Sequence, residues 1–363
     1  MNPQIIDSSN PLWVQTLQVL SHDIYHLPGY ATLEARRTQT IPEAIVITEN
    51  DRILFAPYLL RRCDDILPEH LITEDLFDVV SPYGYPGILL SEAAIADPNF
   101  LDRALNLIKQ VFQEKGVCSA FFRLHPILNQ SFQELTVPET FTFTGETVSI
   151  DLTLSESELW HHTCKDHRNK INRCKRFGLT ARMIPCTQNN IQIFTEIYLE
   201  TMERVGAKRE YLAFDYNYFA ALSKTLEGML YLNIVESEDQ QITSAGLYTE
   251  CHGIVQAIFG GTKTEFLKQS PTCLETDYVR SWAKARGNQF LHLGGGVGGS
   301  QDRLYRFKAG FSRQRYPFMT LRLITDHVKY HHLVELRAKA LNTQPEVLFQ
   351  SNFFPVYRSV LNH

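Results

Sequence analysis

Residues 229–262 read MLYLNIVESEDQQITSAGLYTECHGIVQAIFGGT, and this stretch constrains the fold more than any other. It holds three β-rich runs separated by short polar turns. Strands joined this closely pair antiparallel, because a parallel pair needs a long crossover. An earlier part of the chain has its own counterpart. AIVITEN and DRILFAPYLLRR are joined through Glu49, Asn50 and Asp51, a hairpin turn signal. FDVVSPYGYPGILL then reads as strand, aromatic-glycine loop, strand.

Helical periodicities surround both sets of strands. Residues 11–25 carry apolar side chains at helical spacing, and NFLDRALNLIKQVFQEKG is an amphipathic helix stopped at Gly116. VCSAFFRLHP is the strand after it. In the later part, ESELWHHTCKDHRNKINRCKRFG reads as one basic helix ended by Gly178, with LTARMI as the following strand. IQIFTEIYLETMERVG and FDYNYFAALSKTL are helices. SPTCLETDYVRSWAKARG is another, with Pro271 near its first turn and Gly287 at its end. QFLHL is a strand, DRLYRFKAGF a short helix, PFMTLRLITD a last strand, and the tail from His327 is helical.

Helix, strands, helix, strand thus occurs twice. The order predicts an α/β chain of the α+β type, with two related halves, each a mostly antiparallel twisted sheet flanked by helices. The expected bounds are 1–150 and 151–326, with 327–363 as a helical tail. A length of 363 residues suits two domains.

The net charge of −5 does not describe a polybasic binder, so any anionic partner must meet a local patch. Seven scattered cysteines with no C-x-x-C suggest neither a disulfide framework nor a zinc knuckle. No basic-then-apolar leader is visible at the N-terminus, and no apolar run approaches the roughly 20 residues of a membrane helix. A reducing cytoplasm fits these features. His161, His162 and His167 lie close in sequence, and His327 and His331 are four apart, but neither set has the spacing of a recognised metal motif, so no metal site is expected.

FLHLGGGVGGSQDRLYRFKAGF, residues 290–311, raises a sharper question. Gly294, Gly296 and Gly299 satisfy the dinucleotide pattern G-x-G-x-x-G. That pattern belongs after the first strand of a parallel βαβ series, and here it falls near the end of a chain of hairpins. Two readings remain: a turn that lets backbone pass close to a neighbour, or a loop that admits a bulky group beside the charges of RLYRFKAGF.

LGGGVGGSQDRLYRFKAGF resembles the C-terminal signature of Fem-like acyltransferases, in which a glycine turn precedes a phenylalanine-lysine-x-x-phenylalanine element. DHRNKINRCKRFGLTARM, SPYGYPG and SPTCLETDYVRSWAKARGNQFLHLGG resemble further segments of that family. Together these cover most of residues 45–325. The resemblance implies two GNAT-type halves and transfer of an aminoacyl or acyl group to an amine of a cell-wall or polysaccharide precursor. It implies that the first half serves the acceptor and the second the donor. It also implies that Lys308 is catalytic, stabilising charge in the transition state. Gly295, Gly296, Asp302 and Tyr305 join the candidate substrate-binding set with it.

Read from the residues alone, Lys308 between Phe307 and Phe311 is either an ammonium in partly apolar surroundings or a lysine on an amphipathic surface helix. Lys165, Arg168, Lys170, Arg173, Lys175 and Arg176 form either a phosphate-binding stripe, with Arg168 and Arg173 as candidates, or a solvated helix face. Tyr83, Gly84 and Tyr85, with Ser81 before them, form either a platform for a sugar or base or a rigid crossover. Arg123 and His125 end a strand and either face a cleft or are satisfied within the structure.

No permanently bound cofactor is expected. The acyl donor is either aminoacyl-tRNA or acyl-CoA, and GGTKTEFLKQSPTCLETD lacks the glycine pattern that cradles coenzyme A pyrophosphate, which favours charged tRNA. The acceptor is a sugar-nucleotide or another amine; a lipid-linked acceptor would add peripheral membrane association, without an integral segment. Two alternatives stay open: a GNAT-type N-acyltransferase using acyl-CoA on a small amine or amino sugar, and an inactive binding protein of the same fold.

Overall fold

The computed structural model describes residues 1–68, 75–134 and 140–359. In chain order the strands are β1 (Asn2–Asp7), β2 (Ile41–Glu49), β3 (Arg52–Arg62), β4 (Phe77–Val80), β5 (Leu89–Leu90), β6 (Val117–Arg123), β7 (Phe141–Asp151), β8 (Thr180–Ile184), β9 (Leu230–Glu236), β10 (Ile242–Cys251), β11 (Ile254–Thr262), β12 (Phe290–Gly294) and β13 (Arg315–Ile324). The chain divides into two compact units, Met1–Thr144 with Phe318–His363, and Gly145–Pro317.

The first unit has strand order β1-β2-β3-β4-β6-β13, antiparallel except where β4 runs parallel to β6. Alternation along β2 and β3 explains why both faces are covered. Ile45, Ile47, Leu54, Ala56 and Tyr58 pack with Phe100, Ile108 and Phe112 of the helix Phe100–Glu114. Their neighbours Ala44, Val46 and Phe55 pack instead with Trp13 and Leu17 of the helix Pro11–Leu17. The C-terminal segment belongs to this unit. Residues Thr320–Ile324 of β13 pair with β6, and Tyr330, Leu333, Val334 and Tyr357 form one cluster with Cys63 and Cys118. Asp78, fully buried, accepts from Arg61 Nε at 2.7 Å and Arg358 Nε at 2.6 Å, and from the Tyr357 hydroxyl at 3.2 Å. The tail is therefore bound to the first sheet by a buried charge.

The second unit has strand order β7-β12-β11-β10-β9-β8. β8 to β11 are antiparallel neighbours, and β11 runs parallel to β12. Ile171 and Cys174 of the helix Lys165–Arg176, with Leu274 and Val279 of Pro271–Ala285, pack on Val235, Val255 and Leu291. Phe194 and Tyr198 of Gln188–Arg204 join Phe219 of Tyr216–Thr225 and Phe259 of β11 in an aromatic cluster, with ring centroids 4.9–5.7 Å apart.

Two local departures from the sequence reading have physical causes. The single basic helix expected over 156–178 is two helices, Glu156–His162 and Lys165–Arg176. The first is capped by Ser155 with Glu158, and Thr163 and Cys164 between the two are extended. The Cys164 N–H donates to the Gly310 carbonyl at 2.7 Å rather than continuing a helix. Residues 28–38, where no helix was read, form the helix Pro28–Thr38, started by proline at its first position.

Candidate active site

β12 ends at Gly294 and runs through the glycine loop into the short helix Arg303–Ala309. Asp302 makes this turn a fixed object. One carboxylate oxygen accepts from the Tyr305 N–H at 2.8 Å, capping the helix, and the other accepts from the Val297 N–H at 3.1 Å. Burial works to raise the Asp302 pKa, but these backbone N–H bonds outweigh it and hold the carboxyl below its ordinary value. Gly296 packs so closely on Ser300 and Asp302 that a Cβ there would overlap the Ser300 carbonyl.

Lys308 lies on the helix that this cap starts. Its Nζ donates to the Gly295 carbonyl at 2.7 Å. The residue is only half-buried, yet its surroundings desolvate the ammonium enough to push the pKa down to about 8, with Asp302 pulling the other way. Lys308 is therefore mostly charged at pH 7, and that charge is poorly hydrated.

A core histidine holds this element from below. His167, 5% exposed, has its ring centroid 5.2 Å from Phe307 and 4.4 Å from Phe311, the two aromatics that flank Lys308. Burial, and after it the neighbouring Lys170, lowers the His167 pKa. Gly310 faces the same ring, and a Cβ at that position would overlap it. Thus the small residue in FKAGF is required by the histidine on the preceding basic helix.

Tyr305 is buried, and its hydroxyl donates to Glu146 Oε2 at 2.6 Å. Gln301 Nε2 reaches the same oxygen at 3.3 Å. Lys308, Gly295, Gly296, Asp302 and Tyr305 are thus brought together, with Glu146 of β7 added to them. Glu146 escaped the sequence reading because its only signal was one more polar residue in a strand already rich in them, FTFTGETVSID.

The basic run is sorted by its partners. Lys170 pairs with Asp166 at 2.8 Å and Lys175 with Asp277 at 3.0 Å. Arg173 Nη2 donates to the Lys268 carbonyl at 2.7 Å, and the Cys174 thiol donates to the carbonyl of Gln269 at 3.1 Å. Arg173 and Cys174 therefore clamp the turn Thr264–Gln269, and Arg173 has a structural task that its sequence position did not show. Arg168 is half-buried on the same helix. Lys165, Asn169, Asn172 and Arg176 are exposed and recur at i, i+4, i+7 and i+11, an outward row; an open depression lies among Asn169, Asn172, Lys175 and Arg176.

The remaining candidates form a cluster within the first unit. The Ser81 hydroxyl accepts from the Arg123 N–H at 3.1 Å, and the Arg123 guanidinium lies 5.5 Å from the Phe121 ring centroid. Tyr85 meets Tyr25 and Phe318 edge-on at 6.2 and 5.2 Å, and the Tyr83 carbonyl accepts from the Tyr30 hydroxyl at 3.1 Å. Gly84 rests on the Tyr25 ring. His125 is fully buried. Its Nε2 bonds Asp23 at 3.0 Å, and its Nδ1 lies 3.1 Å from both the Ile127 and Leu128 N–H groups. Those donors make Nδ1 the acceptor and Nε2–H the donor, so His125 acts as an internal brace beneath the tyrosine loop.

Mostly antiparallel strands flanked by helices in each of the two units make this a mixed α/β fold. The solved structure of FemX matches it with a TM-score of 0.69 at 12% identity, over 91% of this chain and 99% of that one, so the chain has the fold of FemX. L-PGS from Bacillus licheniformis matches with a TM-score of 0.49 at 12% identity, over 92% of this chain and 98% of that one. A tandem GNAT protein from the clavulanic acid biosynthesis pathway matches at 0.46 and 9% identity, over 88% and 98%. No protein-family model and no curated protein matches the sequence. Among the described residues, no helix is long and apolar enough to cross a membrane.

Proposed function

We propose that this protein is an acyltransferase of the Fem-like type, which moves an aminoacyl or acyl group onto an amine of a cell-wall or polysaccharide precursor. One observation carries the reading: a poorly hydrated Lys308 ammonium, held on the Gly295 carbonyl at the head of the glycine loop. Two of its three N–H groups remain for a substrate oxygen. When an amine attacks an ester or thioester, the carbonyl oxygen gains negative charge, and a fixed cation in a low-dielectric site stabilises that charge more than water does. Lys308 is the catalytic residue in this reading. Gly295, Gly296, Asp302 and Tyr305 shape its surroundings, the second unit serves the donor, and the tyrosine loop with Ser81 and Arg123 serves the acceptor.

Charged tRNA is the favoured donor. The outward row Lys165, Asn169, Asn172 and Arg176 offers cations and amides to a phosphate backbone. The turn Thr264–Gln269 presents its Lys268 and Gln269 carbonyls to the helix Lys165–Arg176, an arrangement unlike a cradle of N–H groups for a pyrophosphate. A second reading, acyl-CoA as donor, is favoured by a different feature. The parallel pairing of β11 with β12 stops at Gln256 and His292, whereas β11 continues to Thr262. Strands that part in this way open a space between them that suits an extended acyl arm.

Titration against charged tRNA, uncharged tRNA and acetyl-CoA tests the proposal. Preference for charged over uncharged tRNA supports the first donor, and saturable binding of acetyl-CoA supports the second. Binding of none of them leaves the inactive binding protein as the surviving reading. Lys308→Met is expected to abolish transfer, and unchanged turnover in that variant removes the catalytic assignment.

A further inference from the structure

We infer that the outward face of the helix Lys165–Arg176 crosses the minor groove of an RNA duplex, and that Asn169 and Asn172 let it tell RNA from DNA. This rests on the charged-tRNA reading of the donor and adds to it the part of the RNA that is recognised. The polar side chains of this helix fall into two groups. Lys170 and Lys175 pair with Asp166 and Asp277, and Arg173 is held by the Lys268 carbonyl. The side chains of Lys165, Asn169, Asn172 and Arg176 are exposed and take no hydrogen bond or ion pair among the described residues. Their spacing of i, i+4, i+7 and i+11 puts them on one stripe, opposite the buried Ile171 and Cys174. At 1.5 Å per residue the stripe is about 16 Å long.

The order along this stripe is cation, amide, amide, cation. The depression among Asn169, Asn172, Lys175 and Arg176 has a volume of about 530 Å³. A water molecule takes about 30 Å³ in the liquid, so a lone phosphate ion would leave most of that space unfilled. The stripe fits a larger partner with negative charge at two margins and hydroxyl groups between them. An asparagine amide both donates and accepts, and so does a ribose 2′-hydroxyl. The minor groove of A-form RNA is wide and shallow and displays those hydroxyls, with a phosphate backbone on either side. Lys165 and Arg176 then meet the two backbones, and the amides meet the hydroxyls between. DNA offers less. Its minor groove is about 6 Å wide, against about 10–12 Å for a helix with its side chains, and deoxyribose has no 2′-hydroxyl. A lipid surface fits worse, because the stripe carries no apolar side chain to enter the acyl boundary. A net charge of −5 gives the whole protein no general attraction to phosphate, so binding depends on this local patch.

The test measures fluorescence anisotropy with the full-length protein and three labelled duplexes of about 16 base pairs and one sequence: RNA, DNA, and 2′-O-methyl RNA. RNA is expected to bind about tenfold or more tighter than DNA, as two hydrogen bonds of ordinary strength would give. The methylated duplex keeps the A-form groove and loses the hydroxyl donor, and it is expected to fall between the two. Asn169→Ala combined with Asn172→Ala is expected to remove the preference for RNA and leave the salt dependence unchanged. Arg176→Ala is expected to weaken both duplexes and to lower the slope of log affinity against log salt by about one. Far-UV circular dichroism monitors the fold of the variants. Equal affinity for RNA and DNA, a full preference for RNA in the asparagine variant, or no binding of duplex RNA overturns the proposal. So does displacement of the RNA by phosphatidylglycerol vesicles at equal phosphate concentration, which would assign the face to a membrane. Transfer from acetyl-CoA that depends on Lys308, in a protein that ignores RNA, removes this inference and keeps the acyltransferase reading. Preference for RNA in a protein that consumes no acyl donor does the reverse.

Discussion

Replacing Lys308 by methionine is expected to make the folded protein more stable while abolishing its chemistry. The pKa is pushed from 10.5 down to about 8 by burial, so the native state binds this proton more weakly than the unfolded chain does. At 1.36 kcal/mol per unit, holding the charge at pH 7 costs about 3 kcal/mol. This is a ceiling, because the residue is half-buried and solvent screens part of the penalty. The bond from Nζ to the Gly295 carbonyl, worth about 1 kcal/mol, offsets some of it. A net gain of roughly 1–2 kcal/mol at pH 7 follows for Lys308→Met. The sign of the pH dependence is fixed by the direction of the shift. The unfolded chain holds the extra proton between about pH 8 and 10.5, so wild-type stability rises with pH across that window relative to the variant. Near pH 10 the residual penalty is only about 1 kcal/mol, and the advantage of methionine has vanished. Urea denaturation of both proteins at pH 7 and pH 10 measures this double difference. If the variant is less stable at pH 7, or if the gap between the proteins does not change with pH, the desolvated ammonium is refuted, and with it the electrostatic basis for Lys308 as catalyst.

Three further outcomes follow from other contacts. Gly310→Ala drives a Cβ into the His167 ring and is expected to cost about 2 kcal/mol; adding His167→Ala is expected to recover at least about 1 kcal/mol, measured as a double-mutant cycle by denaturation. Glu275, fully buried against the Tyr248 and Ser244 hydroxyls, has its carboxyl pushed up to about 7 by burial, so the stability it lends below pH 4.5 is lost as pH rises to 7; the melting temperature of Glu275→Gln is expected to gain on wild type between pH 5 and pH 8. Arg358→Ala leaves buried Asp78 with Arg61 as its remaining cation and is expected to destabilise the protein by roughly 3 kcal/mol, read from the denaturation midpoint.

Much of the second unit was legible because its signals are local. The run from Met229 to Thr262 forms β9, β10 and β11 as three antiparallel neighbours, and Pro271 starts the helix that ends at Ala285 just before Gly287. The first unit was harder. Its opening strand, β1, contains Pro3 and carries polar residues on an edge, so no alternation marks it. FDVVSPYGYPGILL has a first strand as read, but its second is only Leu89–Leu90, because two prolines and two glycines leave little backbone that can join a ladder. The break at Thr163 and Cys164 could not be seen in a basic helical run either, since it depends on a carbonyl far along the chain, at Gly310.

The candidate site shows the same division between local and distant causes. That a lysine would sit beside a glycine turn was visible in FKAGF, but the sign of its environment was not. Desolvation of Lys308 and the seating of Phe307 and Phe311 on His167 come from packing between segments remote in sequence. Asp302 was read as a substrate ligand, and its two carboxylate oxygens cap a helix and pin the loop that carries Gly295 and Gly296. That assignment changes what the glycines are for. They let the turn fold tightly enough for one carbonyl to meet Lys308 and for Glu146 to reach Tyr305. The loop's smallness and the lysine's charge are then one device, because the backbone that holds the ammonium in place can approach it only where side chains are missing.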